Sequence, residues 1–189
     1  MTSTAQTELL TAIVEATRER LAAAACSVAI LDGSDLEFRV ASGVGEREIV
    51  GVRIPVDRGI AGWVVASGQT VAIADAHSDA RFDRATAQGT GFLPTSILAT
   101  PIEGDDGPIG VLEVLDRAAG PQDMQVVAAA ARQVALVLQL VDAATQVGRV
   151  LADPGLAEHL ALLGQLRGLG VADRLLAARL LAAVVEHAR

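Results

Sequence analysis

A chain of 189 residues, 51% of them hydrophobic, is long and apolar enough for one packed domain with a small appendage, without disulfide staples. Its formal charge of −8, with 15 arginines, no lysine, three Phe and one Trp spread along it, offers neither the basic face nor the stacking aromatics of a nucleic-acid binder. The single cysteine, Cys26, excludes an intramolecular disulfide and cannot by itself hold a thiolate metal cluster.

The first predicted element is an amphipathic helix. Ser3 and Gln6 fit a capping box, and Leu10, Ile13, Val14, Thr17, Leu21 and Ala24 recur at helical spacing opposite Glu15, Arg18 and Glu19. The polar start, Met1 to Gln6, lacks the basic region and apolar core of a secretory signal, so a cytoplasmic location is expected. From Ala25 the hydrophobic period shortens to that of a strand. Cys26–Leu31 is a buried strand, Asp32-Gly33-Ser34-Asp35 a hairpin turn, and Leu36–Ala41 alternates apolar with polar, predicting an antiparallel pair with one solvated face. Gly43 and Gly45 punctuate, and Pro55 places the short strand Val52–Pro55 at an edge or an end.

A short helix is predicted next, with Asp57 as N-cap, Ile60, Trp63, Val64 and Ser67 on one face, and Gly68 ending it. The Trp63 ring is too large for so short a helix to cover, so it is expected against a sheet or a cavity wall. The strand Thr70–Ala74 follows. Residues 75–95 form a polar connection long enough to be functional, with one or two short helical turns expected inside it. Ser96–Ile102 and Ile109–Leu115, joined by a turn at 103–107, are so apolar that they belong in the centre of the sheet with both faces covered.

After Gly120-Pro121 the helical period returns. Val127, Ala130, Val134, Val137, Val141 and Ala144 follow a heptad, and Val126, Leu136, Leu138 and Leu140 fall on other faces. One stripe can cover the sheet, and the second predicts a helical homodimer. The apolar run Val126–Val141, interrupted by Arg132, Gln133 and Gln139, reads as too short and too polar for a bilayer, so no membrane partner is expected. Residues 1–147 are taken as one domain and 148–189 as a C-terminal helical hairpin. In that hairpin Asp153-Pro154 opens one helix, Gly168-Leu169-Gly170 breaks it, and Asp173–His187 forms a second helix apolar nearly all round. Such a hairpin completes an oligomer or docks a protein partner. From Val150 onward four arginines offset four acidic residues, which gives no basic face for a helix-turn-helix reading.

The order of these elements, with Gly59-Ile60-Ala61-Gly62-Trp63, Asp75 with Asp79-Ala80-Arg81-Phe82, Ser96–Ile102, and Gly107–Val114, resembles the GAF domain family over residues 5–145. GAF domains are the small-molecule sensing modules of cyclic-nucleotide phosphodiesterases, phytochromes, sensor kinases and bacterial regulators. The resemblance implies an α+β fold with a central antiparallel sheet of five to six strands. The N- and C-terminal helices would pack on one face, with pocket loops and short helices on the other, and homodimers would form through the terminal helices. It does not carry a ligand across. The Asn-Lys pair that marks cyclic-nucleotide-binding members is absent, since the chain has neither residue, and Cys26 lies far in sequence from His77, unlike the cysteine and histidine of bilin-binding members. Free-methionine sulfoxide reductases share the fold but need a second thiol to resolve a sulfenic acid. No cofactor is identified.

Six residues on or near the expected pocket are candidates. His77 offers a haem-iron ligand or a ligand hydrogen bond, against a solvated capping role. Arg81 offers a bidentate anion clamp, against a salt bridge to Asp75, Asp79 or Asp83. Trp63, Phe82 and Phe92 either line a cavity or fill it, and Ser96 faces in or out according to strand register. No Ser-His-Asp or Cys-His set, phosphate-binding loop or metal-ligand spacing is recognisable. The expectation is a non-catalytic sensor whose ligand shifts the dimer helices, with a ligand-free dimerising scaffold for a protein partner as the alternative.

Overall fold

The computed structural model describes residues 4–117 and 119–151, with side-chain surroundings given to residue 146. Chain contacts divide it into a compact unit, Met1–Val141, and a second, Asp142–Arg189, of which only the end of one helix is described. The expected hairpin and the Ser3 cap lie outside the described residues.

Helix α1 (Thr4–Leu21) leads into β1 (Ala25–Asp32) and β2 (Asp35–Gly43). Then come α2 (Glu46–Ile49), β3 (Arg53–Pro55), α3 (Gly59–Ser67) and β4 (Val71–Ile73). The connection at 75–95 carries a single 3-10 turn (Ala76–Ser78) and α4 (Arg84–Gly89), and is followed by β5 (Ile97–Gly104), β6 (Gly107–Leu115) and α5 (Pro121–Leu151). The strands make one six-stranded antiparallel sheet in the order β3-β2-β1-β6-β5-β4. The short, proline-ended β3 is at one edge and β6 is central, as the expected α+β fold requires.

Each face of the sheet has its own core. On one, Leu10 and Val14 of α1 and Val127, Ala130, Ala131 and Val134 of α5 pack on Cys26, Val28, Leu98, Leu112 and Val114. On the other, Ile60, Ala61, Val64 and Val65 of α3 pack on Leu36, Phe38, Ile97, Ala99 and Val111. Burying a Leu or Val side chain contributes roughly 2 kcal/mol, so these two clusters hold both helical layers to the sheet.

The β1–β2 hairpin does not have one solvated face. Val28 pairs with Val40 but Ala29 pairs with Phe38, so Arg39 is an extra residue, a β-bulge. Leu36 and Phe38 therefore point toward α3, whereas Val40 joins the α1–α5 core. The regular alternation of exposure along β2 conceals this exchange of faces. It also turns Ala41, in place of Val40, toward the α3 side.

Four smaller expectations are corrected. Asp57 does not cap α3. It lies inside a turn closed by the Arg58 N–H to the Pro55 carbonyl (3.0 Å), and Arg58, with no side-chain cap, precedes the helix. Ile60 and Val64 are buried, but Ser67 is exposed and Trp63 only half-buried, so the four do not share one buried face. Helix α2, where only punctuating glycines were expected, is started by Gly45 in the left-handed region (φ 75°). Finally, Pro121–Gln146 is long and apolar enough by length and composition to cross a membrane, so length does not argue against a span. Burial of Val127, Ala130, Ala131, Val134 and Ala135 gives that apolar surface a use on the sheet.

Candidate functional site

A cavity of about 110 Å³ lies between the α3-side face of the sheet, α2, the N-terminus of α3 and the 75–95 connection. The sheet makes room for it. Its floor is Ala25, Ser27 and Ala41, small residues on adjacent strands, with Ser27 directly across from Ala41 and Ala25 across from Gly43. The walls are Phe38, Ile54, Ile60 and Ile97, and the roof includes Phe82, Thr86, Thr90, Phe92 and Pro94.

The roof is fixed by local hydrogen bonds. At its ends, the Ala76 N–H donates to the Thr95 carbonyl (2.7 Å), and the Ser96 N–H donates to the Asp116 carboxylate (3.0 Å). Asp83 caps α4, accepting from the backbone N–H of Ala85 (3.1 Å) and Thr86 (3.2 Å) and from the Thr86 hydroxyl (2.9 Å). The Thr86 backbone and hydroxyl bonds, chiefly, hold the Asp83 carboxyl below the usual range. Asp83→Ala is expected to cost about 1 kcal/mol, the usual value of a cap. Hydrogen exchange should then speed up at Ala85–Thr90 while the central strands keep their protection.

One ionisable group stands at the cavity wall without a partner. Glu113 of β6 is buried (9% exposed) and lies across from Ser27 on one side and Ala99 on the other. Among the described residues no hydrogen bond or ion pair reaches its carboxyl, and burial alone pushes its pKa from 4.5 up to about 7. Among the described residues, no arginine or histidine lines the cavity.

The six candidate residues divide. Phe82 and Phe92 line the cavity. Trp63 and Arg81 instead border a second, open depression beside α3, which Phe82 also borders. There the Arg81 guanidinium lies 4.3 Å from the centre of the Trp63 ring and donates to both Asp79 oxygens, from Nε at 2.9 Å and Nη2 at 2.7 Å. The hydrogen bonds from the Arg81 side chain and backbone bring the Asp79 carboxyl down to about 2. His77 is exposed. Its ring meets Phe82 edge-on at 5.6 Å, and its Nδ1 is 3.3 Å from an Arg84 nitrogen. Ser96 is occupied outside the cavity, its hydroxyl donating to the Arg117 carbonyl at 3.2 Å. Phe38, Glu113, Thr86 and Thr90 are lining residues that sequence reasoning did not select. No group of three or more His, Cys, Asp or Glu able to hold a metal occurs among the described residues.

An antiparallel sheet with terminal helices on one face and a loop-roofed cavity on the other defines a class of small α+β domain. The GAF domain model matches residues 6–138, and the chain belongs to the GAF domain family. Over 67 residues it is 39% identical to the dual 3',5'-cyclic-AMP and -GMP phosphodiesterase 11A of Takifugu rubripes, a match covering 35% of this chain and 7% of that protein. Among solved structures, the GAF domain of an Acinetobacter phosphoenolpyruvate-protein phosphotransferase superposes with a TM-score of 0.64 at 19% identity, over 76% of this chain and 88% of that one. The free methionine-R-sulfoxide reductase of Neisseria meningitidis, solved with its substrate, gives a TM-score of 0.62 at 19% identity, over 74% and 81%. At these identities the structures establish the shared fold.

Proposed function

We propose that this chain is a non-catalytic sensor domain that holds a small molecule between its sheet and the 75–95 connection and transmits binding through a helical homodimer. The cavity carries the reading, because it combines apolar walls with a few buried polar groups, the usual composition of a ligand site. The non-catalytic part rests on Cys26. Burial, and then the charge of Glu113, push its thiol up to about 12, so it stays protonated and unreactive. Arg81 and Asp79, paired with each other, serve as structure.

The dimer part rests on α5 and α1. Leu136 (57% exposed) and Leu140 (68%) lie one turn apart on α5, outside its sheet-packed stripe, and Leu9 of α1 is likewise exposed. Leu136→Glu with Leu140→Glu is expected to turn a dimer into a monomer in sedimentation equilibrium without changing helix content. A wild-type chain that sediments as a monomer would remove the transmission mechanism. A cytoplasmic location and a protein partner at residues 148–189, where a helical hairpin is expected, belong to the same proposal.

One observation favours the alternative of a ligand-free scaffold. The cavity, about 110 Å³, is below the roughly 300–1,000 Å³ typical of drug-sized ligands. A sensor of this kind therefore takes a very small ligand.

A further inference from the structure

We infer that the cavity is selective for a compact organic amine, a short apolar body carrying one ammonium group that docks on the Glu113 carboxylate. The inference rests on the ligand-pocket reading above and specifies its chemistry.

Four observations support it. First, Glu113 is buried at the cavity wall with no hydrogen bond or ion pair among the described residues. A buried carboxylate without a partner is costly, and a cation or strong donor entering beside it removes that cost. Second, among the described residues the charged lining is acidic only. Asp83 of the α4 N-terminus is the other ionisable group at the rim, and its oxygens are already used by Ala85 and Thr86. The neighbouring strand adds Ala25 and Ser27, and its Cys26 thiol, which packs in the α1–α5 core, stays protonated; α2 and α3 add Ile49, Gly59, Ile60 and Ala61, none of which ionises. A phosphate or carboxylate ligand would meet two carboxyls, and Arg58, whose charge acts on Asp83, does not line the cavity. Third, the remaining walls, including Phe38, Ile60, Phe92 and Ile97, suit a hydrocarbon body. Fourth, the volume limits that body. An engineered apolar cavity of about 150 Å³ accepts benzene, so this one suits a ligand of roughly six heavy atoms.

The test uses three probes of matched shape, 3-methylbutylamine, 3-methylbutanol and 3-methylbutanoate, titrated into the full chain near pH 8 and followed by amide chemical shifts. The amine is expected to bind most tightly. Glu113→Gln should weaken the amine by about tenfold or more and leave the alcohol within about twofold, as expected for loss of one charge-assisted hydrogen bond. Lowering the pH of the wild type to about 5.5 should weaken the amine similarly, because Glu113 then carries a proton while the amine stays charged. That arm needs no variant, so misfolding of Glu113→Gln cannot shield the inference. Equal binding of amine and alcohol at both pH values, or preference for the carboxylate, would overturn the amine selectivity and leave a ligand pocket standing. Failure of all three to bind would overturn both.

Discussion

Gly43→Ala is expected to lower the unfolding free energy of this domain by about 4 kcal/mol, most of the stability of a domain at the marginal end. Gly43 ends β2 at φ 100°, where an L side chain is strained by roughly 1–2 kcal/mol. A Cβ there would also press far inside contact distance of the Ala24 carbonyl oxygen and come within 2.8 Å of the Arg18 side chain. Neither neighbour can move freely. The Ala24 carbonyl accepts the Val44 N–H (3.1 Å), and the Arg18 Nε donates to the Ser42 hydroxyl (2.9 Å). Overpacking of this kind typically costs a further 1–3 kcal/mol. Urea unfolding of the two proteins measures the difference. A loss under about 1 kcal/mol would mean that the β1–β2 end and the start of α2 relax more easily than their hydrogen bonds imply. Because Val44, Gly45 and Ile49 line the cavity just beyond this point, the same substitution should disturb its wall.

Glu113→Gln should make the domain more stable above neutral pH, by about 3 kcal/mol at most. In the folded chain burial raises the Glu113 pKa from 4.5 to about 7. Between those values the folded state holds a proton that the unfolded state has released, so stability falls as pH rises. The favourable contribution is complete below about pH 4.5 and is lost as pH passes 7. That difference between folded and unfolded pKa corresponds to about 3 kcal/mol. Asp79 and Asp83, whose carboxyls are held low by hydrogen bonds, act in the opposite direction, losing stability as pH falls below the usual carboxylate range. Unfolding free energies of wild type and variant at about pH 5 and pH 8 separate the two effects, since only the Glu113 contribution differs between the proteins. Equal pH dependence in both would show that the carboxyl is solvated or paired in the folded state.

The sheet was readable from the sequence because its strands carry the signals that force them: an apolar run for β1, β5 and β6, and a proline for the edge strand β3. The turn at Gly33-Ser34 and the stop at Gly68 were readable for the same reason, since both glycines take positive φ. The bulge at Arg39 was not. Alternation persists on either side of it, and only pairing with β1 shows that Val40 and Phe38 face opposite layers. The candidate site was partly legible. Phe82 and Phe92 reach the cavity, whereas Trp63 and Arg81 are drawn together outside it, a stacking that spacing along the chain does not specify. Glu113 carried a signal that went unused. A single carboxylate in Ile109–Leu115, a strand apolar enough to be covered on both faces, has to be buried, and a buried carboxylate points to a site. The cavity itself depends on Ala25, Ser27 and Ala41 being brought side by side by register, which no local pattern reveals.

Native mass spectrometry of the purified full chain tests the central claim most directly, because one spectrum reads both subunit count and retained small molecules. A ligand-holding dimeric sensor predicts a noncovalent dimer carrying extra mass that is shed on denaturation. Monomers at the calculated chain mass, with nothing added, would contradict both the dimer and the occupied cavity.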